Sequence, residues 1–154
     1  MAQLNKKIYE VIVTTLSESG QSHSAPMGIT EVGNHFLIQP FKPSTTYENL
    51  KHHRQCAINY TDDVRVFAGS LTNRRDWPTL PCEKITGQYL EQALAHSELE
   101  IIDFVDGDPR SSFTGKIVNE VTHAPFRGFN RAQSAVIEAA VLTSRLHMLP
   151  VEKV

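Results

Sequence analysis

The sequence predicts a mainly β protein, an antiparallel barrel with a short helix after the third strand and a longer C-terminal helix. Short runs of β-branched and aromatic residues recur along the chain, and turn-forming residues follow most of them. The regular alternation of strands and helices that marks a doubly wound parallel sheet is missing. Strands at such short intervals favour an antiparallel barrel to which helices are appended.

Three strands are predicted in the first forty residues. Residues 8–15 are dense in β-branched and aromatic side chains, and a polar turn follows at residues 17–20. The run at residues 22–30 contains Pro26 and Gly28, so we expect a bulge or bend within it. Residues 35–39 form the third predicted strand, which ends at Pro40.

A helix is predicted next, because Thr45 and Glu48 have the Thr-x-x-Glu spacing of a capping box. This helix should run to about Arg54. Residues 56–60 then predict a buried strand. The pattern of residues 64–93 is too mixed for us to assign an element to it.

Two longer strands are predicted at residues 94–105 and 112–122, and the turn sequence Asp-Gly-Asp-Pro at residues 106–109 joins them. Asn130 and Gln133 then have the spacing of an N-cap and its reciprocal partner. They predict a C-terminal helix over about residues 130–149, which ends before Pro150.

Length and composition indicate one domain, residues 1–154, of an ordinary soluble protein. The chain is 40% hydrophobic and 21% charged, and its net charge of -2 gives no reason to expect a nucleic-acid partner. We expect neither a signal peptide nor a membrane span, since the longest apolar run near the C-terminus is broken by Glu138. The two cysteines have no Cys-x-x-Cys spacing, which favours reduced thiols in the cytoplasm.

The start of the first predicted helix is a candidate phosphate site. Such a helix start offers unpaired N–H groups and a partial positive charge. Three hydroxyls and one ammonium surround this one, from Lys42, Ser44, Thr45 and Thr46. The alternative is that Thr45 only caps the helix.

The second candidate site lies in the run with the predicted bend and consists of Ala25, Pro26, Met27, Gly28 and Ile29. Glycine lets a flat ligand approach the backbone, and proline fixes the local path of the chain. A flat ring with carbonyls and ring nitrogens could be bound here by main-chain N–H groups while Met27 packs on its face. The alternative is a strand bulge with Met27 in the core.

Three segments together, residues 25–29, 41–50 and 57–63, resemble flavin reductase-like split-barrel proteins. With the sequence Phe-Asn-Arg-Ala at residues 129–132 and the helix to Leu146, the resemblance extends over residues 8–149. Over that length the chain is similar to an uncharacterised FMN-binding split-barrel family of archaea and of methylotrophic and related bacteria. Members of that family usually continue with a further helical segment, so we expect this chain to be a short member.

The resemblance implies an antiparallel split barrel of the FMN-binding type, with FMN as the cofactor. It adds Asn59, Thr61 and Arg131 to the cofactor-binding residues. It also implies a homodimer in which both subunits build each flavin pocket, as the apolar residues of the C-terminal helix suggest independently. The absence of a Gly-x-Gly-x-x-Gly element favours FMN over FAD.

The function implied is that of an FMN-dependent oxidoreductase or an accessory redox protein, linked to tetrahydromethanopterin-dependent one-carbon metabolism. Electron transfer at the flavin needs no catalytic side chain, so none is predicted. One alternative is a non-catalytic flavin-binding or assembly protein, and another is a pyridoxamine-phosphate-oxidase-like enzyme. No metal site is predicted, because His52 and His53 are adjacent and project to different sides of a helix.

Overall fold

The computed structural model describes residues 7–69 and 76–144. Six strands form a closed antiparallel barrel in the order β1-β2-β3-β8-β7-β4, and β5 and β6 form a separate hairpin. The barrel strands are β1 (Lys7–Leu16), β2 (Ser22–Val32), β3 (His35–Ile38), β4 (Gln55–Tyr60), β7 (Ala95–Val105) and β8 (Ser112–Thr122). The other elements are β5 (Thr79–Pro81), β6 (Gln88–Leu90), α1 (Thr45–His52), α2 (Val64–Gly69) and α3 (Arg131–Ser144). The predicted mainly β barrel is confirmed.

The barrel interior is filled by apolar side chains from every barrel strand. On β1, Val11 and Val13 point inward, since alternate residues of a strand face the same side. Burial of each aliphatic side chain of this kind stabilises the fold by roughly 1.5–3 kcal/mol relative to leaving it exposed. The interior cluster consists of Val11, Val13, Ile29, Phe36, Ile38, Tyr47, Leu50, Cys56, Ile58, Leu99, Ile101 and Phe113.

A second apolar cluster lies outside the barrel, against the opposite face of β1. Ile12 packs there with Val66 and Phe67 of α2 and with Leu90 and Ala93. The described part of the unassigned segment thus forms α2 and the β5–β6 hairpin, which cover the barrel wall. Its two strands have three residues each, too few to show an alternating pattern.

Helix α1 covers the barrel end at which β1 finishes and β2 begins. Tyr47 and Leu50 are 2% and 0% exposed and belong to the interior cluster. Asn49 Nδ2 donates a hydrogen bond of 2.9 Å to Thr15 Oγ1 at the end of β1. The helix is therefore fixed to the barrel by both apolar and polar contacts.

The bulge expected at Pro26 and Gly28 is wrong. Strand β2 pairs with β1 in unbroken register from Lys7 opposite Glu31 to Leu16 opposite Ser22. Pro26 is tolerated because β3 pairs only with residues 30–32 of β2, which leaves this part of β2 with a single partner strand among the described residues.

The capping box of α3 is confirmed. The Asn130 N–H donates to Gln133 Oε1 at 2.9 Å, and the Gln133 N–H donates to Asn130 Oδ1 at 2.8 Å. The helix is described as far as Ser144, and the rest of its predicted length lies outside the described residues. In the described chain, no helix has the length and apolar character that a membrane crossing requires.

Candidate functional site

The N-cap of helix α1 lies one residue earlier than the sequence predicts. The Tyr47 N–H donates to Ser44 Oγ at 3.1 Å, and Ser44 is in an extended conformation. Ser44 is therefore the N-cap, and the capping box predicted from Thr45 and Glu48 is wrong. The N–H groups of Thr45 and Thr46, in the first turn, have no acceptor within the helix.

The two threonines of this turn differ in exposure. Thr45 is exposed, whereas Thr46 is 2% exposed. With the cap provided by Ser44, the Thr45 hydroxyl is not needed to begin the helix. The helix start thus presents two N–H groups and one exposed hydroxyl, a combination suited to an anion.

Lys42 precedes the helix and is paired with an acid. Its Nζ lies 3.2 Å from each carboxylate oxygen of Asp106, in the loop between β7 and β8. Ser111 Oγ and Tyr47 Oη also donate to Asp106 Oδ1, at 2.8 and 3.2 Å. The hydrogen bond from Ser111, followed by that from Lys42, lowers the pKa of Asp106 to about 2.

The β7–β8 loop also holds the backbone ahead of α1. The Lys42 N–H donates to the Pro109 carbonyl at 2.8 Å, and Phe41 pairs with Arg110. Gly107 allows this loop to be tight, since a Cβ there would lie 2.5 Å from the Arg110 carbonyl oxygen. The loop and the start of α1 therefore form one unit.

The second candidate segment lies along β2, beside α1. In the described chain, residues 25–29 of β2 pair with the strand β1 and with no other strand, so the edge that faces away from β1 has no partner strand there. Met27 packs against the interior cluster and Ile29 belongs to it, while Ala25 and Pro26 are half-buried and Gly28 is exposed. Because α1 packs against β1 and β2, the two candidate segments are neighbours.

Asn59 is fully buried, and both the nitrogen and the oxygen of its side-chain amide make hydrogen bonds within the protein. Nδ2 donates to the Ile12 carbonyl at 2.9 Å and to Thr14 Oγ1 at 3.2 Å. Oδ1 accepts from the Leu90 N–H at 2.7 Å. Asn59 therefore joins β4 to β1 and β6, outside the barrel interior.

Thr61 and the first turn of α3, which contains Arg131, lie at the other end of the barrel. Thr61 Oγ1 accepts from the Asp63 N–H at 3.0 Å, and Gln133 Nε2 in the first turn of α3 donates to the Asp62 carbonyl at 3.2 Å. The six residues of β4, roughly 20 Å long, separate this end from α1. Within one chain, the candidate residues therefore fall into two separated groups.

One polar cluster was missed in the sequence. His96 and Glu98 on β7 are 1% and 0% exposed, and His96 Nε2 lies 2.7 Å from Glu98 Oε2. On the other side of the ring, His96 Nδ1 lies 2.8 Å from Nε2 of the exposed His123. The His-x-Glu spacing on a predicted strand places both side chains on one face and was the available signal.

Comparison with known proteins identifies the family. The model described as the N-terminal domain of a protein of unknown function (DUF447) matches residues 9–124, and a second DUF447 model matches residues 130–154. The resemblance predicted from the sequence is thereby confirmed. No curated protein matches this chain.

Solved structures with the same fold include several flavin-binding proteins. An FMN-bound DUF447 protein from Methanosarcina mazei has a TM-score of 0.74 and 25% identity, covering 97% of this chain and 81% of its own. An FMN-binding protein from Thermus thermophilus with bound 1-cyclohex-2-enone has a TM-score of 0.65 and 15% identity, covering 79% and 74%. A flavoredoxin from Methanosarcina acetivorans has a TM-score of 0.64 and 12% identity, covering 80% and 75%.

Proposed function

The chain belongs to the DUF447 family, and we propose that it is an FMN-binding flavoprotein that acts as an oxidoreductase or an accessory redox protein. The observation that carries the proposal is the similarity to the FMN-bound Methanosarcina mazei protein, which extends over 97% of this chain. FMN, when bound, supplies electron acceptance and donation at its ring, while the protein binds and orients it.

The start of α1 suits the phosphate of FMN. The N–H groups of Thr45 and Thr46 have no acceptor in the helix, and the Thr45 hydroxyl is exposed beside them. A phosphate group at a helix start is also favoured by the helix dipole. Lys42 would add a positive charge, but its ammonium is paired with Asp106.

The edge of β2 at residues 25–29, which has no partner strand in the described chain, suits the flavin ring. A flat heterocycle with carbonyls and ring nitrogens can be bound by the main-chain groups of an open strand edge. Met27 and Ile29 anchor the strand in the barrel core, and Gly28 between them is exposed. Electron transfer at the flavin ring needs no titratable side chain from this segment. The segment would bind and orient the ring.

We infer that the functional unit is a homodimer. Within one chain, β4 separates Thr61 and the first turn of α3 from the barrel end that α1 covers, so a flavin pocket that uses all of these residues would take Thr61 and Arg131 from a partner subunit. Apolar side chains near α3 are exposed as an interface would need, with Phe126, Phe129 and Leu142 at 57%, 45% and 46%.

Releasing the cofactor by heat and identifying it by mass spectrometry tests the proposal. Recovery of FMN supports it, and recovery of FAD, or no flavin after reconstitution, contradicts it. Bleaching of the yellow protein by NAD(P)H would favour an oxidoreductase. A yellow protein inert to reductants would favour the non-catalytic flavin-binding or assembly protein. The link to tetrahydromethanopterin-dependent metabolism rests on the family resemblance alone and stays a prediction.

A further inference from the structure

A mostly buried group of potential metal ligands lies outside the proposed flavin site. Cys82, His96 and Glu98 each present one ligand atom, and these three atoms lie within 4.8 Å of one another. The residues come from two places in the chain, since Cys82 follows β5 and the other two are on β7. A thiol, an imidazole and a carboxylate together form a donor set that zinc commonly uses.

The carboxylate of Glu98 is held in place by the loop after β5. The Lys84 N–H donates to Glu98 Oε1 at 2.6 Å, and the Glu83 N–H donates to Oε2 at 3.0 Å. The Cys82 N–H donates to the Gly87 carbonyl at 2.9 Å and closes the loop on itself. The loop therefore orients the carboxylate and fixes the backbone that carries the thiol before any ion arrives.

The His96 ring is oriented by contacts to its face and to its second ring nitrogen. Its ring stacks on that of Tyr89 with centroids 4.0 Å apart and planes 6° apart. Its Nδ1 lies 2.8 Å from His123 Nε2, so a ligating Nε2 leaves Nδ1–H free to donate to His123. A hydrogen bond from the second ring nitrogen is the usual way in which proteins orient a histidine that binds a metal.

We propose that Cys82, His96 and Glu98 bind a divalent transition-metal ion, best matched by zinc, with His123 as the positioning residue for His96. The ion would replace the hydrogen bond between His96 Nε2 and Glu98 Oε2, whose atoms lie 2.7 Å apart. Tetrahedral metal–ligand bonds of about 2.0–2.3 Å place the ligand atoms roughly 3.3–3.8 Å apart. The distance between His96 Nε2 and Glu98 Oε2 must therefore increase to this range. The wider separations among the three ligand atoms must decrease by about 1 Å.

The donor set decides the type of ion. Thiolate and imidazole favour zinc and similar borderline metals over calcium and magnesium, which prefer oxygen ligands. A divalent cation would also balance the negative charge of a carboxylate and a thiolate brought together in a mostly buried place. Three protein ligands leave a fourth position, and Cys82 is only half-buried, so the ion can enter from the surface.

Cobalt is the appropriate probe, because a thiolate bound to Co²⁺ produces a charge-transfer absorption band. Spectra of the purified protein are recorded as differences between Co²⁺-loaded and Zn²⁺-loaded samples, so that any flavin absorption cancels. We expect a thiolate band that saturates at about one Co²⁺ per chain. The band should be lost in Cys82→Ser and retained in Cys56→Ala, which removes the other, fully buried cysteine.

Zinc affinity, measured by competition with a chromophoric chelator, tests the positioning residue. His123→Phe should weaken Zn²⁺ binding roughly 10–100-fold while keeping the thiolate band, as loss of an orienting partner does elsewhere. Because His123 is exposed, this variant should fold normally. Absence of a saturable thiolate band in the wild type overturns the proposal, as does a band that survives Cys82→Ser.

Discussion

Lys42 Nζ lies 3.2 Å from both carboxylate oxygens of Asp106, so the ammonium predicted to face a phosphate is already paired with an acid from the β7–β8 loop. A bound phosphate would compete with Asp106 for Lys42, and its own charge would be repelled by that carboxylate. The two side chains should therefore affect FMN binding in opposite directions.

The first prediction compares Asp106→Asn with Lys42→Met. We expect Asp106→Asn to tighten FMN binding roughly two- to fivefold and Lys42→Met to weaken it by a similar factor, the range expected for exposed charge pairs. Fluorescence titration of the apoprotein measures both. Asp108→Asn, in the same loop, is the matched control and should leave the Kd unchanged. Equal weakening by the Asp106 and Lys42 variants would mean that the pair only maintains the loop.

The second prediction concerns acid stability. The pKa of Asp106 is lowered from 3.8 to about 2, so the folded state favours the ionised carboxylate. Its contribution to stability is present above pH 3.8 and is lost as the pH falls toward 2. The Tm difference between wild type and Asp106→Asn should shrink over that range. A difference that does not change with pH would contradict this, and Asp108→Asn again serves as the control.

The third prediction separates capping from cofactor binding. Ser44→Ala removes the hydrogen bond to the Tyr47 N–H and should lower the free energy of unfolding by about 0.5–2 kcal/mol. Thr45→Ala combined with Thr46→Ala should weaken FMN binding by about 1.5–3 kcal/mol for each charge-assisted hydrogen bond lost. Thr45→Ala alone should do so at unchanged Tm, since Thr45 is exposed. A double variant with wild-type affinity and a lower Tm would place the phosphate elsewhere.

The fourth prediction concerns Asn59, whose amide makes three hydrogen bonds inside the protein. Asn59→Ala leaves the Ile12 carbonyl and the Leu90 N–H without this partner, and each buried group so left costs about 1–3 kcal/mol. Urea unfolding measures the loss. Asn49→Ala is the control, because the described bond of that side chain is to a Thr15 hydroxyl that can rotate. We expect a clearly smaller loss there, and equal losses would contradict the bridging role of Asn59.

The fifth prediction is the homodimer. Sedimentation equilibrium at micromolar concentration should give the dimer mass, and added FMN should raise the apparent stability in a way that depends on protein concentration. Leu142→Glu on α3 should shift the mass toward the monomer. Ile102→Glu is the matched control, since Ile102 is similarly exposed on β7. A single species of monomer mass with FMN bound would contradict both the dimer and the shared pocket.

Local sequence patterns were sufficient to predict the barrel strands. Strands β7 and β8 were predicted to within one residue, because each is long and ends at strong turn residues. The capping box of α3 was also correct, since it involves two side chains three residues apart. At α1 the prediction of Thr45 as the cap was wrong, because the chain also offers a hydroxyl at Ser44 and the backbone path decides which one caps.

The sequence by itself determined the barrel class, its six strands and the helices α1 and α3, because these follow from periodicity and turn chemistry, and the order of its motifs carried the resemblance to the family. Only the tertiary structure decided how the polar side chains are used. Asp106 reaches Lys42 across 64 residues of chain, and the Leu90 N–H reaches Asn59 across 31. Cys82, His96 and Glu98 likewise converge only because the loop after β5 folds over β7. Pairings of this kind depend on how loops pack against the barrel wall, and no local pattern of hydrophobicity or spacing carries that information.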